Sequence, residues 1–273
     1  MEHAPGPTAV APIGTAHHVG PGRHTGYLLV SGDGRAWGFG SAAPGSRRSP
    51  RPPGEVVAVA VTPTGRGSWT ALADGRIEVE GDAPHWGSPL DEGLEPPVVD
   101  LVATPDGRGY AVLTRGGRVH VFGHCPYHGT FVGLAAGDEL VALAPTPDRQ
   151  GYWLATRGGH VQGFGRSGDL GSLTEGTDPV VDIAAGRSGA GYWLATAGGT
   201  VTAFGDAVDC GSPADAGAGG RIVALVASGS VDGYWTTDDA GRVLAFGDAA
   251  FLGRPPLDAP LGPVVALAAV PEP

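Results

Sequence analysis

The sequence predicts an all-β fold, a six-bladed β-propeller of four-stranded antiparallel blades, and three observations carry that prediction. A short apolar phrase recurs six times, and a hairpin phrase opened by glycine also recurs six times. The chain starts with a hairpin yet finishes with an apolar phrase. A unit of about 42 residues holding four short strands has the length and content of one propeller blade.

The apolar phrase reads Glu55-Val56-Val57-Ala58-Val59 in its first copy. Later copies begin at Pro97, Glu139, Pro179, Arg221 and Pro263, with offsets of 42, 42, 40, 42 and 42 residues. A continuous apolar run suits a strand packed on both faces, whereas a half-exposed strand would alternate. This is the inner strand A.

The second phrase opens at Gly26, Gly67, Gly109, Gly151, Gly191 and Gly233. It reads as two short strands, B and C, joined by a Gly-Gly, Asp-Gly or Ala-Gly turn, where glycine supplies the positive φ a tight turn needs. A Phe-Gly-Asp type ending then leads into a short outer strand D, finishing near Gly87, Gly129, Gly171, Gly211 and Gly253.

The order of these phrases implies how the ring closes. The first apolar residue of strand A lies eleven residues before its hairpin glycine in blades two to six, but the same count back from Gly26 reaches Thr15-Ala16-His17-His18-Val19, which lacks the phrase. The missing strand is expected from Pro263–Val270, so that the C-terminal strand joins the N-terminal blade and leaves no open edge. Residues 1–25 then form an arm outside the repeat, and residues 26–273 form a single propeller domain.

Gly151-Tyr152-Trp153-Leu154-Ala155-Thr156, followed by Gly158-Gly159 and Phe164-Gly165, resembles the GYWLVASDGGIFSFGDA-type tandem repeat of many actinobacterial, often extracellular, proteins. The pattern also looks distantly like WD40 and RCC1-type blades. The resemblance spans residues 26 to 270 and implies a scaffold with no single activity to transfer. The composition agrees with a high-GC source, since all 17 basic residues are Arg and neither Lys nor Asn occurs.

A net charge of −11 argues against a nucleic-acid partner, which needs a clustered basic surface. The one basic cluster, Arg47, Arg48 and Arg51, lies in a Pro-rich stretch expected to be a solvated loop. No run of 18 apolar residues exists, so no membrane span is expected. The first fourteen residues lack the basic and apolar regions of a signal peptide, which points to the cytoplasm for the chain as written and to secretion if a leader was removed. Cys125 and Cys210 fall two blades apart, too far for a disulfide.

Candidate functional residues are those where one copy departs from the others. Asp100 and Asp182 replace the alanine found in the other four inner strands, and carboxylates near the axis suggest a ligand or divalent-metal site, or acceptors for backbone N–H groups and water. Blade three carries His120, His124, Cys125 and His128, residue types that favour zinc-like metals, although the spacing matches no standard motif; the alternative is a His-rich surface turn. Glu80 stands where five blades have Phe and is a candidate acid/base group if buried; the alternative is a looser blade from which Glu80 reaches solvent. Trp37 and Trp86 break the register of Trp69, Trp153, Trp193 and Trp235, which makes them candidates for ligand stacking. His17 and His18 place further candidates on the arm.

Two functional readings follow. The first is a binding scaffold that recognises a protein or glycan through one propeller face. The alternative is a small-molecule enzyme, hydrolase- or lactonase-like or biosynthetic, with an axial pocket that a divalent metal assists.

Overall fold

The structure is a computed structural model that describes residues 24–42, 45–48, 54–93, 97–174, 178–229, 232–256 and 262–271. The regular structure in these residues is entirely β, arranged as six antiparallel sheets. Blade one contains β1 (His24–Ser31), β2 (Arg35–Gly40) and β3 (Gly45–Arg48). Blade two has β4 (Val56–Val61), β5 (Ser68–Leu72) and β6 (Ile77–Glu80), and blade three has β7 (Val98–Ala103), β8 (Gly109–Thr114) and β9 (Val119–Gly123). Blade four follows with β10 (Leu140–Pro145), β11 (Gly151–Thr156) and β12 (Val161–Gly165), and blade five with β13 (Val180–Ala185), β14 (Gly191–Thr196) and β15 (Val201–Gly205). Blade six has β16 (Ile222–Ala227), β17 (Gly233–Asp238) and β18 (Val243–Gly247). The last strand, β19 (Val264–Pro271), pairs antiparallel with β1, so both ends of the described chain share one sheet.

The inner strands explain the apolar phrase. Every residue of β4, β7 and β13 is buried, and the strands lie side by side in the order β4, β7, β10, β13, β16, β19. β19 in turn lies against β4. Strands β4, β7, β10, β13 and β16 share one irregularity, a bulge just before Ala58, Asp100, Ala142, Asp182 or Ala224. A bulge adds twist, and its recurrence gives these five blades the same local geometry.

Successive blades are joined by aromatic residues of the hairpin. Tyr27, Tyr110, Tyr152, Tyr192 and Tyr234 each donate a phenolic hydrogen bond to a glycine carbonyl of the preceding blade, at Gly253, Gly87, Gly129, Gly171 and Gly211. The neighbouring indoles of Trp69, Trp153, Trp193 and Trp235 are buried, and each donates to a carbonyl fifteen residues later, at 2.8 Å. Tyrosine therefore latches one blade to the next, while tryptophan ties the hairpin to its own outer segment.

The expectation of a fourth strand in every blade is corrected. Blades two to six have three strands each, and blade one alone has four, β19-β1-β2-β3, among the described residues. The outer segments of the other blades still run beside strand C, but side chains hold them. Ser172 and Ser212 hydroxyls accept from the Val161 and Val201 N–H groups at 3.0 Å, in addition to the indole bonds. Pro84 and Pro126 open two of these segments without an N–H to contribute. The basic cluster is also redrawn: Arg47 and Arg48 lie on β3, and Arg51 falls outside the described residues.

Candidate functional site

The most specialised place in the described molecule is the seam between blades three and four. It begins with a turn. In blades two, three and five the loop from strand A to strand B places glycine in the left-handed region, with φ of 69° at Gly65, 67° at Gly107 and 73° at Gly189. Blade four has Arg149 there with φ 60°, the one non-glycine residue with positive φ among the described residues. A side chain in that conformation costs roughly 1 kcal/mol relative to glycine. The turn closes in spite of this cost, with Arg149 N donating to Thr146 O at 2.9 Å and Thr146 Oγ1 donating to Asp148 Oδ1 at 2.6 Å.

Two contacts reach Arg149 from blade three. Its Nη1 lies 2.9 Å from Asp106 Oδ2, on the equivalent turn. His128 Nε2 donates to the Arg149 carbonyl at 3.0 Å, which leaves the proton on Nε2 because a carbonyl can only accept. The His128 ring stands edge-on to Tyr152, with centroids 5.4 Å apart, and Tyr152 latches to Gly129. Burial pushes the Tyr152 phenol up to about 12. Burial also pushes Asp106 upward, but the Thr104 hydroxyl, the Arg108 N–H and the Arg149 guanidinium together hold its carboxyl below the usual range.

Beneath these groups lies a cavity of about 30 Å³ lined by Val102, Leu143, Cys125, His128, Thr146 and Arg149. That is room for one or two waters. Burial pushes the Cys125 thiol up to about 12, so it stays protonated at neutral pH and is a poor nucleophile. The arrangement can present an exposed cation and hold a small anchoring group.

The candidate residues read from the sequence are placed as follows. His124, Cys125 and His128 do not form a metal centre: among the described residues no three His, Cys, Asp or Glu side chains are grouped to hold an ion. His124 is exposed, Cys125 faces the cavity and His128 is turned onto the Arg149 carbonyl. His120 lies on β9 opposite Val112, with its pKa lowered by burial and its Nε2 buried without a partner among the described residues. Glu80 is exposed at the end of β6, opposite Ser68, which agrees with the solvent-facing reading and leaves no buried acid/base group there. Trp37 is buried opposite Leu29, and Trp86 packs on the core and donates to Gly107 O at 3.3 Å, so both act as packing residues and not as open stacking platforms. His17 and His18 lie outside the described residues.

Of the two readings of Asp100 and Asp182, the structure shows acceptors for backbone N–H groups, and each carboxylate staples two inner strands. Asp100 Oδ1 accepts from Leu101 N at 2.7 Å and its Oδ2 from Leu143 N of blade four at 2.8 Å. Asp182 accepts likewise from Ile183 N at 2.7 Å and from Leu225 N of blade six at 2.6 Å. Both residues are fully buried. Arg149 and Asp106 were not singled out by the sequence reading, because copies were compared along strands. Comparing turns would have shown Arg where three other copies have Gly.

Among solved structures, the chain is similar to the Myceliophteria thermophila Cps50 (Swd1) β-propeller domain, with a TM-score of 0.56 and 12% identity over 90% of this chain and 87% of that one. That likeness establishes a β-propeller fold. No protein-family model matches the chain, and no curated protein does. No helix among the described residues is long and apolar enough to cross a membrane.

Proposed function

We propose that this chain is a protein-interaction scaffold, a ring closed through β19, whose contact surface is the A–B turn face centred on blades three and four. The observation that carries the reading is Arg149. A left-handed arginine is retained where equivalent turns use glycine, and nearly half of its side-chain surface is exposed, at 43%. Stability gives little reason to keep it, since a partly exposed ion pair contributes about 0–1 kcal/mol, no more than the backbone conformation costs. Exposed Tyr127 stands next to His128 on the same corner. Arg and Tyr are the residue types that dominate binding energy at protein interfaces. The cavity below offers an anchor point for one small group of a partner. A β-propeller neighbour is consistent with scaffolding, and the chemistry of the partner rests on these side chains alone.

The test is Arg149→Gly, which gives this turn the residue found in blades two, three and five. Partners captured by the wild-type chain are identified by mass spectrometry, purified and titrated directly. Arg149→Gly and Tyr127→Ala are each expected to weaken the interaction by about tenfold or more. Unchanged affinity in both variants would place the contact surface elsewhere.

A further inference from the structure

Blades two, four, five and six carry tryptophan at the third position of the hairpin phrase, Trp69, Trp153, Trp193 and Trp235, and blade three carries Ala111. In each of the four, the indole makes the same two contacts. Its N–H donates to the carbonyl fifteen residues later, and its ring leans on the latch tyrosine of the next blade. The ring centroids of these pairs are 5.2 to 6.1 Å apart.

For blade three the corresponding groups are Pro126 O and Tyr152. Ala111, Pro126 and Tyr152 all line the cavity at the seam between blades three and four. The cavity is therefore the indole slot of blade three without an indole. Val102 and Leu143 complete its apolar wall and share one buried cluster with Ala111 and Tyr152. The Cys125 thiol approaches Pro126 O at 3.9 Å, and a carbonyl has two lone pairs to offer. Among the lining residues Pro126 and Arg149 are exposed and mark the mouth. The cavity of about 30 Å³ is not sealed: with the open mouth included, the atom-free space is about 400 Å³.

Arg149 belongs to the same slot. At Gly107, the equivalent turn residue beside the filled slot of blade two, a Cβ would lie 3.7 Å from Trp69 Cη2, so the turn residue borders the ring. Beside the slot of blade three that residue is Arg149. Its ion pair with Asp106 runs through the edge of the guanidinium, and the planar face of such a group stacks on aromatic rings.

We infer that the slot takes an aromatic side chain of the partner protein, tryptophan above all, with its N–H on Pro126 O and its ring between Tyr152 and Arg149. The inference rests on the interaction surface proposed above and names the group that surface takes. The remaining segments of this chain hold no ring to fill the slot, because all of its Trp, Tyr and Phe residues lie among the described ones. A second copy offers no tryptophan either, since its six are buried or half-buried in their own blades.

The experiment titrates the full chain with N-acetyltryptophanamide, followed by ligand-observed NMR, for wild type, Ala111→Trp and Ala111→Leu. Wild type is expected to bind with a Kd of about 1 mM or tighter. Ala111→Trp, whose own indole occupies the slot, is expected to bind at least tenfold more weakly. If that variant fails to fold, Ala111→Leu decides, since it places in the slot the residue that blade one has at Leu28. The 1-methyl analogue lacks the N–H and is expected to bind about three- to tenfold more weakly than the parent amide. No binding to wild type, equal binding in wild type and the folded variants, or equal binding of the methylated analogue would overturn the slot. The slot and the surface fail separately. If no amide binds while Arg149→Gly still weakens a partner, the slot is overturned and the surface stands. If Ala111→Trp blocks the amide while partners ignore Arg149→Gly and Tyr127→Ala, the surface is overturned and the slot is left as a ring-binding site alone.

Discussion

The seam between blades three and four and the seam between blades one and two are built from the same apolar strands but from different polar connectors. At the first, Tyr152 latches to Gly129, Asp100 staples β7 to β10, and Arg149 meets Asp106 and His128. At the second, the positions of Tyr152, Phe164, Asp100 and Arg149 are held by Ser68, Glu80, Ala266 and Gly65. What the second seam keeps is apolar packing. Val56 to Val61 share one buried cluster with Ala266, Ala268 and Val270. Burial brings the blades together without specifying direction, so it recurs at both seams. Directional bonds are added where particular residues allow, and these residues make one seam differ from another.

The largest expected effect comes from making the two seams alike at the axis. Asp100→Ala removes an acceptor from two buried N–H groups, each bond to a charged group contributing about 1.5–3 kcal/mol, for a loss of roughly 3–6 kcal/mol. At about 2–4 °C per kcal/mol for a chain of this size, thermal unfolding should begin at least 6 °C lower. A loss below about 1 kcal/mol in chemical denaturation would mean the carboxylate is not a staple.

Tyr152→Phe removes one latch and keeps the ring packing against Phe164. The expected loss is about 1–2 kcal/mol, because the Gly129 carbonyl is left unpaired. The same change at Tyr192 should cost a similar amount, since its latch to Gly171 is equivalent. A much larger loss at Tyr152 alone would show that the neighbouring Arg149 and His128 contacts depend on it.

A smaller effect is expected at the seam between blades six and one, where His24 Nδ1 donates to Ala227 O at 3.1 Å. Burial lowers the His24 pKa more than the carbonyl raises it. The folded state therefore prefers the neutral ring, while the unfolded chain takes up a proton near pH 6.5. This contribution is fully present above pH 6.5 and is lost as the pH falls below it. His120, also lowered by burial, acts in the same direction. Denaturation at pH 7.5, 6 and 5 should show declining stability, and His24→Asn should flatten the slope. A slope unchanged in that variant would assign the effect to other groups.

No change in stability is expected from alkylation, yet it probes the cavity. With the Cys125 thiol at about 12 against an ordinary 9.0, its thiolate population is about a thousandfold lower than that of a free thiol. Labelling by iodoacetamide at pH 8 should be correspondingly slow and should accelerate in denaturant. Rapid labelling of the folded chain would show that the seam opens.

Much of the fold was legible in particular residues. Val56 to Val61 and the five phrases like it mark the inner strands, because a strand buried on both faces has no polar positions. Gly151 to Gly165 marks a hairpin, since its turn needs glycine. The outer strand was misread because serine hydroxyls and indoles replace the backbone ladder there, and a short Pro- or Gly-containing segment looks the same in either case. Trp37 was misread because a break in register was equated with exposure, whereas its side chain points into the blade. Glu80 faces solvent, as the reading of a looser blade at this position had it.

The sequence by itself determined the number of blades, the strands A to C and the positions where copies differ. Those follow from local periodicity and turn chemistry, which depend on residues only a few positions apart. Only the tertiary structure decided what the differences do. Asp100 and Leu143 are 43 residues apart in the chain, yet one carboxylate bonds to both strands. Arg149 and Asp106 are likewise 43 apart and meet across a seam. A hydrogen bond or an ion pair depends on distance and angle in space, and residues this far apart acquire those only when the blades pack.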